Sequence, residues 1–202
     1  MNSIEVSPNP TIDSTSAIAQ HFNKLNLATF HQACYWVKNL PYDSNSSNND
    51  SLIIFKEGKA TCTNKHGVIA RLAAELDLKI YKNLGFYRLN DEIVTGVNKI
   101  LKPYRLDFIP QIHCFLEYDN FRVDLTEGNC NGKNKTIEDY DFIVKVKPDL
   151  TYREYENYYL KYLQKYYAIA PQLKELGAEK VLEILEECEQ QLKYQCSIMY
   201  QT

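Results

Sequence analysis

The sequence predicts an α+β fold, and three observations carry that reading. Helical periodicity dominates the first third of the chain, strand-like runs follow in the middle, and helical spacing returns from residue 151 onward. The middle contains a hairpin signal, "QIHCFLEYDNFRVDLTEG", in which two strand-like runs flank Asp119-Asn120. A length of 202 residues with a hydrophobic share of 45% is enough for one domain with a sizeable core and an appendage.

Taken in order, residues 1–13 read as a loose arm and 15–23 as a short helix. In "ATFHQACYWVKNLPY", Thr29 caps a helix whose apolar stripe is Phe30, Ala33, Cys34, Val37 and Leu40, and Pro41 ends it. "DSNSSNND", residues 43–50, is a polar loop and the expected mobile segment of the first half. Gly58 permits a turn before the next helix, which starts near Cys62 behind a Thr61 cap and runs to about Asp77. "LKIYKNLGFYRL" is a strand. Helical spacing resumes through Ile93, Val94, Val97, Ile100 and Leu101 and stops at Pro103. After the hairpin, "DFIVKVK" offers one more strand. Tyr152, Tyr155, Tyr159, Tyr162 and Tyr166 then form a helical stripe expected to pack against the core, and Pro171 opens a last helical stretch interrupted at Gly177. The organisation expected is an arm and short helix over 1–27, a main domain over 28–150 and a helical extension over 151–202 packed on it.

A net charge of -3 argues against a general nucleic-acid binder. No apolar run approaches the ~20 residues that span a bilayer, and "MNSIEVSPNPTIDSTS" has neither the basic nor the apolar region of a secretory signal. The expectation is a cytoplasmic protein without a membrane partner. There the six cysteines, Cys34, Cys62, Cys114, Cys130, Cys188 and Cys196, stay as thiols, and the glycosylation-like matches at Asn45, Asn49 and Asn134 carry no meaning.

A two-residue loop at Asp119-Asn120 sets the hairpin register. Tyr118 then faces Phe121, Glu117 faces Arg122, Phe115 faces Asp124 and His113 faces Thr126. The Glu117–Arg122 pair is a sensible cross-strand charge pair. His113 and Asp124 become diagonal neighbours on one face, while Cys114 points to the other face, away from His113 and from Cys62. The thiol of Cys62 heads its helix. It meets the positive end of the helix dipole, which favours thiolate, and unsatisfied N–H groups that can hold an oxyanion. Cysteine, histidine and aspartate then fit the roles of attacker, base and orienter.

At these residues the chain resembles the transglutaminase-like superfamily of papain-like cysteine enzymes. The resemblance rests on motifs in order: Tyr42-Asp43 after a helix, "TCTNKHGVIARLAAEL", "HCFLE" as an H-x-[WF]-x-E strand, and the aspartate of "RVDLT". It covers roughly residues 28–127. It implies a papain/transglutaminase-like core, with the Cys-bearing central helix packed on an antiparallel sheet and extra helices at the C-terminal end. It also implies a Cys62, His113, Asp124 triad acting on peptide, protein or small amide substrates, with no cofactor. Thr61 stands where the family often has glycine, and Asn64-Lys65-His66 departs from the family's usual run. Gln32 and Trp36 are candidates for a second oxyanion donor, though each also reads simply as part of the preceding helix.

Other readings stand beside this one. Cys62 and His66 are spaced for zinc, but no second ligand pair accompanies them, and structural zinc usually takes about four protein ligands. No metal is therefore expected, and His66 reads as a residue of the cleft rim or helix surface. The same fold can serve as an inert peptide- or protein-binding module. An arylamine N-acetyltransferase also uses Cys, His and Asp, but no "RGG"-type run lies near Cys62.

Overall fold

The computed structural model describes residues 3–47, 50–127 and 131–199. Met1 and Asn2 of the expected arm, Asn48 and Asn49 of the polar loop, and Cys130 lie outside the described residues. The protein is α+β, with seven α-helices and one antiparallel sheet of four strands, in the order β3-β2-β1-β4, among the described residues. The helices are α1 (Ala17–Lys24), α2 (Phe30–Asn39), α3 (Ile53–Glu57), α4 (Cys62–Glu75), α5 (Val97–Leu101), α6 (Tyr152–Tyr166) and α7 (Pro171–Met199). The strands are β1 (Tyr81–Leu89), β2 (Ile109–Tyr118), β3 (Phe121–Val123) and β4 (Phe142–Val146). The chain divides into two compact units that interleave along the sequence, with boundaries inside β1 after Leu84 and inside β2 after His113.

The first unit is built on α1, α2 and α4. Ser16 caps α1 by accepting the Ala19 N–H, and Thr29 and Gln32 form a reciprocal capping box at the start of α2. Phe30, Ala33, Cys34 and Val37 are buried, as their spacing requires. The expected loose arm is held down instead. Thr11 bridges Thr29, Ile12 donates to the Ala28 carbonyl, and Ile4 and Ile12 are buried. Two isoleucines in a polar stretch gave too weak a period to show this. The polar loop is likewise tied where it is described. Asn45 donates to Glu57 and to the Lys59 carbonyl, and accepts from Asn64. Helix α3 escapes sequence reading because its five residues are too few for a period, and Gly58, at φ 65°, closes it with a left-handed residue.

Helix α4 is buried on nearly all sides, from Cys62 through Ala73. Thr61 occupies the cap position, but its hydroxyl makes no cap hydrogen bond. Lys65 lies inside, with its ammonium donating to the carbonyls of Lys38 and Leu40 at the end of α2. That places a cation on the negative end of the α2 dipole. The β2–β3 hairpin adopts the expected register: Tyr118 opposite Phe121, Glu117 opposite Arg122, Leu116 opposite Val123. Asp119 and Asn120 take φ values of 46° and 67°, as a two-residue turn of this type demands.

In the second unit the tyrosine stripe of α6 is packed over its C-terminal half. Tyr162 stacks on Phe86 at 4.1 Å, and Tyr166 meets Phe142 edge-on at 5.6 Å. Tyr159 donates to the Pro110 carbonyl and Tyr166 to Asp141, while Tyr152 is exposed. The helix expected from Ile93 is shorter than its periodicity implied. Gly96, at φ 95°, cannot continue a right-handed helix, so α5 begins only at Val97. Gly177 breaks the last helical stretch, as expected.

Candidate functional site

Cys62 is the first residue of α4 and is 6% exposed. Its neighbours in the first unit come from β1 and β2. The thiol of Cys114 is hydrogen-bonded to Cys62, and the Thr63 hydroxyl lies 3.6 Å from Cys114 Sγ. This corrects the expectation that Cys114 points away from Cys62. Cys114 lies on the face of β2 that α4 covers, where Cys62 and Thr63 meet its sulfur. Burial raises the pKa of Cys114 well above the ordinary thiol value, and the bond to Cys62 and its charge raise it further.

Lys82 is the next unexpected member. It is 1% exposed, and its ammonium donates to the carbonyls of Thr63 at 3.0 Å and Pro148 at 3.1 Å. Burial pulls its pKa below the usual lysine value, and the charges of Cys114, Cys62 and Asp149 oppose that pull. The sequence carried a signal for it: in "YKNLGFYRL" Lys82 shares its strand face with Leu84 and Phe86, an apolar series in which a lysine stands out. Thr63, Gly67, Lys82, Pro148 and Asp149 are among the residues lining a cavity of about 150 Å³.

His113 lies in β2 and is buried, and Asp124 follows β3 directly and is also buried. The ladder ends at Val123, so Asp124 and Thr126 do not extend it as the expected pairing with Phe115 and His113 required. Asp124 is anchored by the residue two positions on in its own chain. Its Oδ1 accepts the Thr126 N–H at 2.7 Å and the Thr126 hydroxyl at 2.6 Å. These bonds favour the ionised carboxylate and fix its direction.

His66 is not on a rim or a surface. It is fully buried, with Nδ1 2.7 Å from the Cys62 carbonyl and Nε2 accepting the Leu125 N–H at 2.8 Å. With Nε2 accepting, Nδ1 is the nitrogen that donates to the Cys62 carbonyl, and Nε2 also lies 3.4 Å from Asp124 Oδ1. Both ring nitrogens are engaged, so the Cys62–His66 pair holds zinc only by giving up both bonds. The two candidate oxyanion donors are structural. Gln32 completes the α2 cap, and Trp36 stacks on Phe55 with ring centroids 5.4 Å apart. Asp43, beside the Tyr42 of the motif, pairs with Lys59 at 2.7 Å.

Among the described residues, no helix is long and apolar enough to cross a membrane. No protein-family model, curated protein or solved structure matches the chain.

Proposed function

We propose that the protein is a transglutaminase-like cysteine enzyme acting on amide or related acyl substrates through Cys62, His113 and Asp124. The observation that carries the reading is the position of Cys62. It opens a buried helix, where the helix dipole and the first-turn N–H groups favour a thiolate and can hold an oxyanion, and it is hydrogen-bonded to Cys114. A buried Asp124 carboxylate, fixed by Thr126 on the same hairpin as His113, supplies the group that orients a base. In the reaction the Cys62 thiolate attacks the carbonyl carbon and forms a C–S bond. The tetrahedral intermediate collapses with cleavage of the C–N bond, and protonated His113 gives its proton to the leaving amine. Water then releases an acid, or an amine releases a new amide.

One observation favours a second reading, the inert binding module: Cys62 is nearly enclosed and its neighbour is a second thiol. Incubation with a peptide or glutamine-like electrophile, followed by mass spectrometry, tests both. The enzyme reading expects acylation at Cys62, turnover with water or amine, loss of both in His113→Ala and slower labelling in Asp124→Asn. A Cys62 that takes no acyl group, or takes one no faster than Cys34, leaves the binding module as the better account.

A further inference from the structure

The buried groups around Cys62 pose a question of charge. Lys82 is enclosed, yet among the described residues no carboxylate lies within ion-pair distance of it. Asp149, the acidic side chain that faces it, is paired with Arg71 at 3.2 Å. An enclosed ammonium held only by two carbonyls pays a large desolvation cost, and a nearby anion lowers that cost. The titratable groups that face Lys82 are Cys114 from β2, Cys62 from α4 and Asp149 beyond β4. The two thiols are hydrogen-bonded to each other, and a pair in that position gives up one proton much more readily than two.

We propose that Lys82 and Cys114 together hold Cys62 as a thiolate, with Lys82 supplying the countercharge and the Cys114 S–H donating to the Cys62 sulfur. Three features point to Cys62 as the charged member. It sits at the N-terminus of α4, where the helix dipole favours an anion, whereas Cys114 lies within a strand. Lys82 reaches this end of α4 directly, through the carbonyl of Thr63. Cys114 is fully enclosed and its own acidity is suppressed by burial, so it remains the donor. Lys82 is thus a positioning residue that acts through the sulfur and touches no substrate. The inference deepens the proposed function, since it rests on Cys62 as its nucleophile, but it concerns a protonation state that can be read without any turnover.

The test is a thiolate titration of the full chain by absorbance near 240 nm, between pH 5 and 9, before the tyrosines ionise. The wild-type protein should show one thiolate step below the ~8.5 of an ordinary cysteine. Cys62→Ser should abolish it. Lys82→Met, similar in volume but uncharged, should move it up by about one pH unit or more, and Lys82→Arg should largely keep it in place. Cys114→Ala should also move it up, through loss of the donated S–H. Circular dichroism checks the fold of each variant, and the comparison of wild type with Cys62→Ser stands even where Lys82→Met does not fold. No step below ~8.5, a step that survives Cys62→Ser, or a step unmoved in folded Lys82→Met overturns the proposal. A low Cys62 step with no acyl labelling keeps this inference and removes the enzyme reading. Acyl turnover with a step indifferent to Lys82 does the reverse.

Discussion

At the residue scale, Lys82 and His66 are polar groups near Cys62 placed where the sequence pattern reads as core. His66 links two segments distant in sequence, because its Nδ1 meets the Cys62 carbonyl and its Nε2 takes the Leu125 N–H. His66→Ala strands the buried Leu125 N–H, which costs about 1–3 kcal/mol before any cavity is counted. His66→Phe restores the volume but not the bond, and so should remain destabilised in urea unfolding. Full recovery by phenylalanine would mean that shape, not the hydrogen bond, sets the residue. Thr126→Val removes one of the two bonds on Asp124 Oδ1. If Asp124 orients His113, this variant should lower kcat on an acyl substrate more than it lowers stability. A kcat equal to wild type would separate Thr126 from the site.

At the element scale, the β2–β3 hairpin shows how much a turn decides. Two residues at positive φ fix the register, and the register places Glu117 against Arg122 and brings the Arg122 guanidinium over the Phe115 ring at 5.5 Å. Asn120→Gly keeps the left-handed conformation and should be neutral or stabilising. Asn120→Val forces a β-branched residue into it and should cost about 1–2 kcal/mol by urea unfolding. Equal stability of the two would mean the turn does not hold the register. Helix α6 is the other element with a decisive face. Tyr162 lies between Phe86 and Phe142, so Tyr162→Ala opens a large void and should cost about 3–5 kcal/mol. Tyr152 is exposed, and the same change there should be close to silent in the same measurement.

At the scale of the whole molecule, the buried acidic groups predict how stability depends on pH. Burial is the main cause that raises the pKa values of Cys34, Cys114, Tyr159 and Tyr166, and it pushes Cys188 up to about 12. An unfolded chain releases its thiol protons from about pH 8.5 and its phenol protons from about pH 10. The folded protein still holds those protons, so above these values the unfolded state binds fewer, and stability falls as pH rises. The contribution is complete below about pH 8.5 and is lost progressively above it, more steeply past about pH 10. Thermal melts from pH 7 to 11 should show this, and Tyr159→Phe with Tyr166→Phe should flatten the upper part. A melting temperature constant across the range would contradict the burial of these groups.

By itself the sequence determined what depends on near neighbours in the chain. It specified the Thr29 cap, the start of α4 at Cys62, the break at Gly177 and the register of the β2–β3 hairpin, because caps, dipoles and tight turns act over a few residues. The tertiary structure decided which groups surround Cys62. Cys114 and Lys82 reach it from β2 and β1, and His66 became a buried bridge because Leu125 came to rest against α4. The physical reason is that alternation tells which residues share a strand face but not which helix will cover that face. Cys114 could be placed on one face of β2, and only the packing of α4 made that face the one that meets the Cys62 thiol.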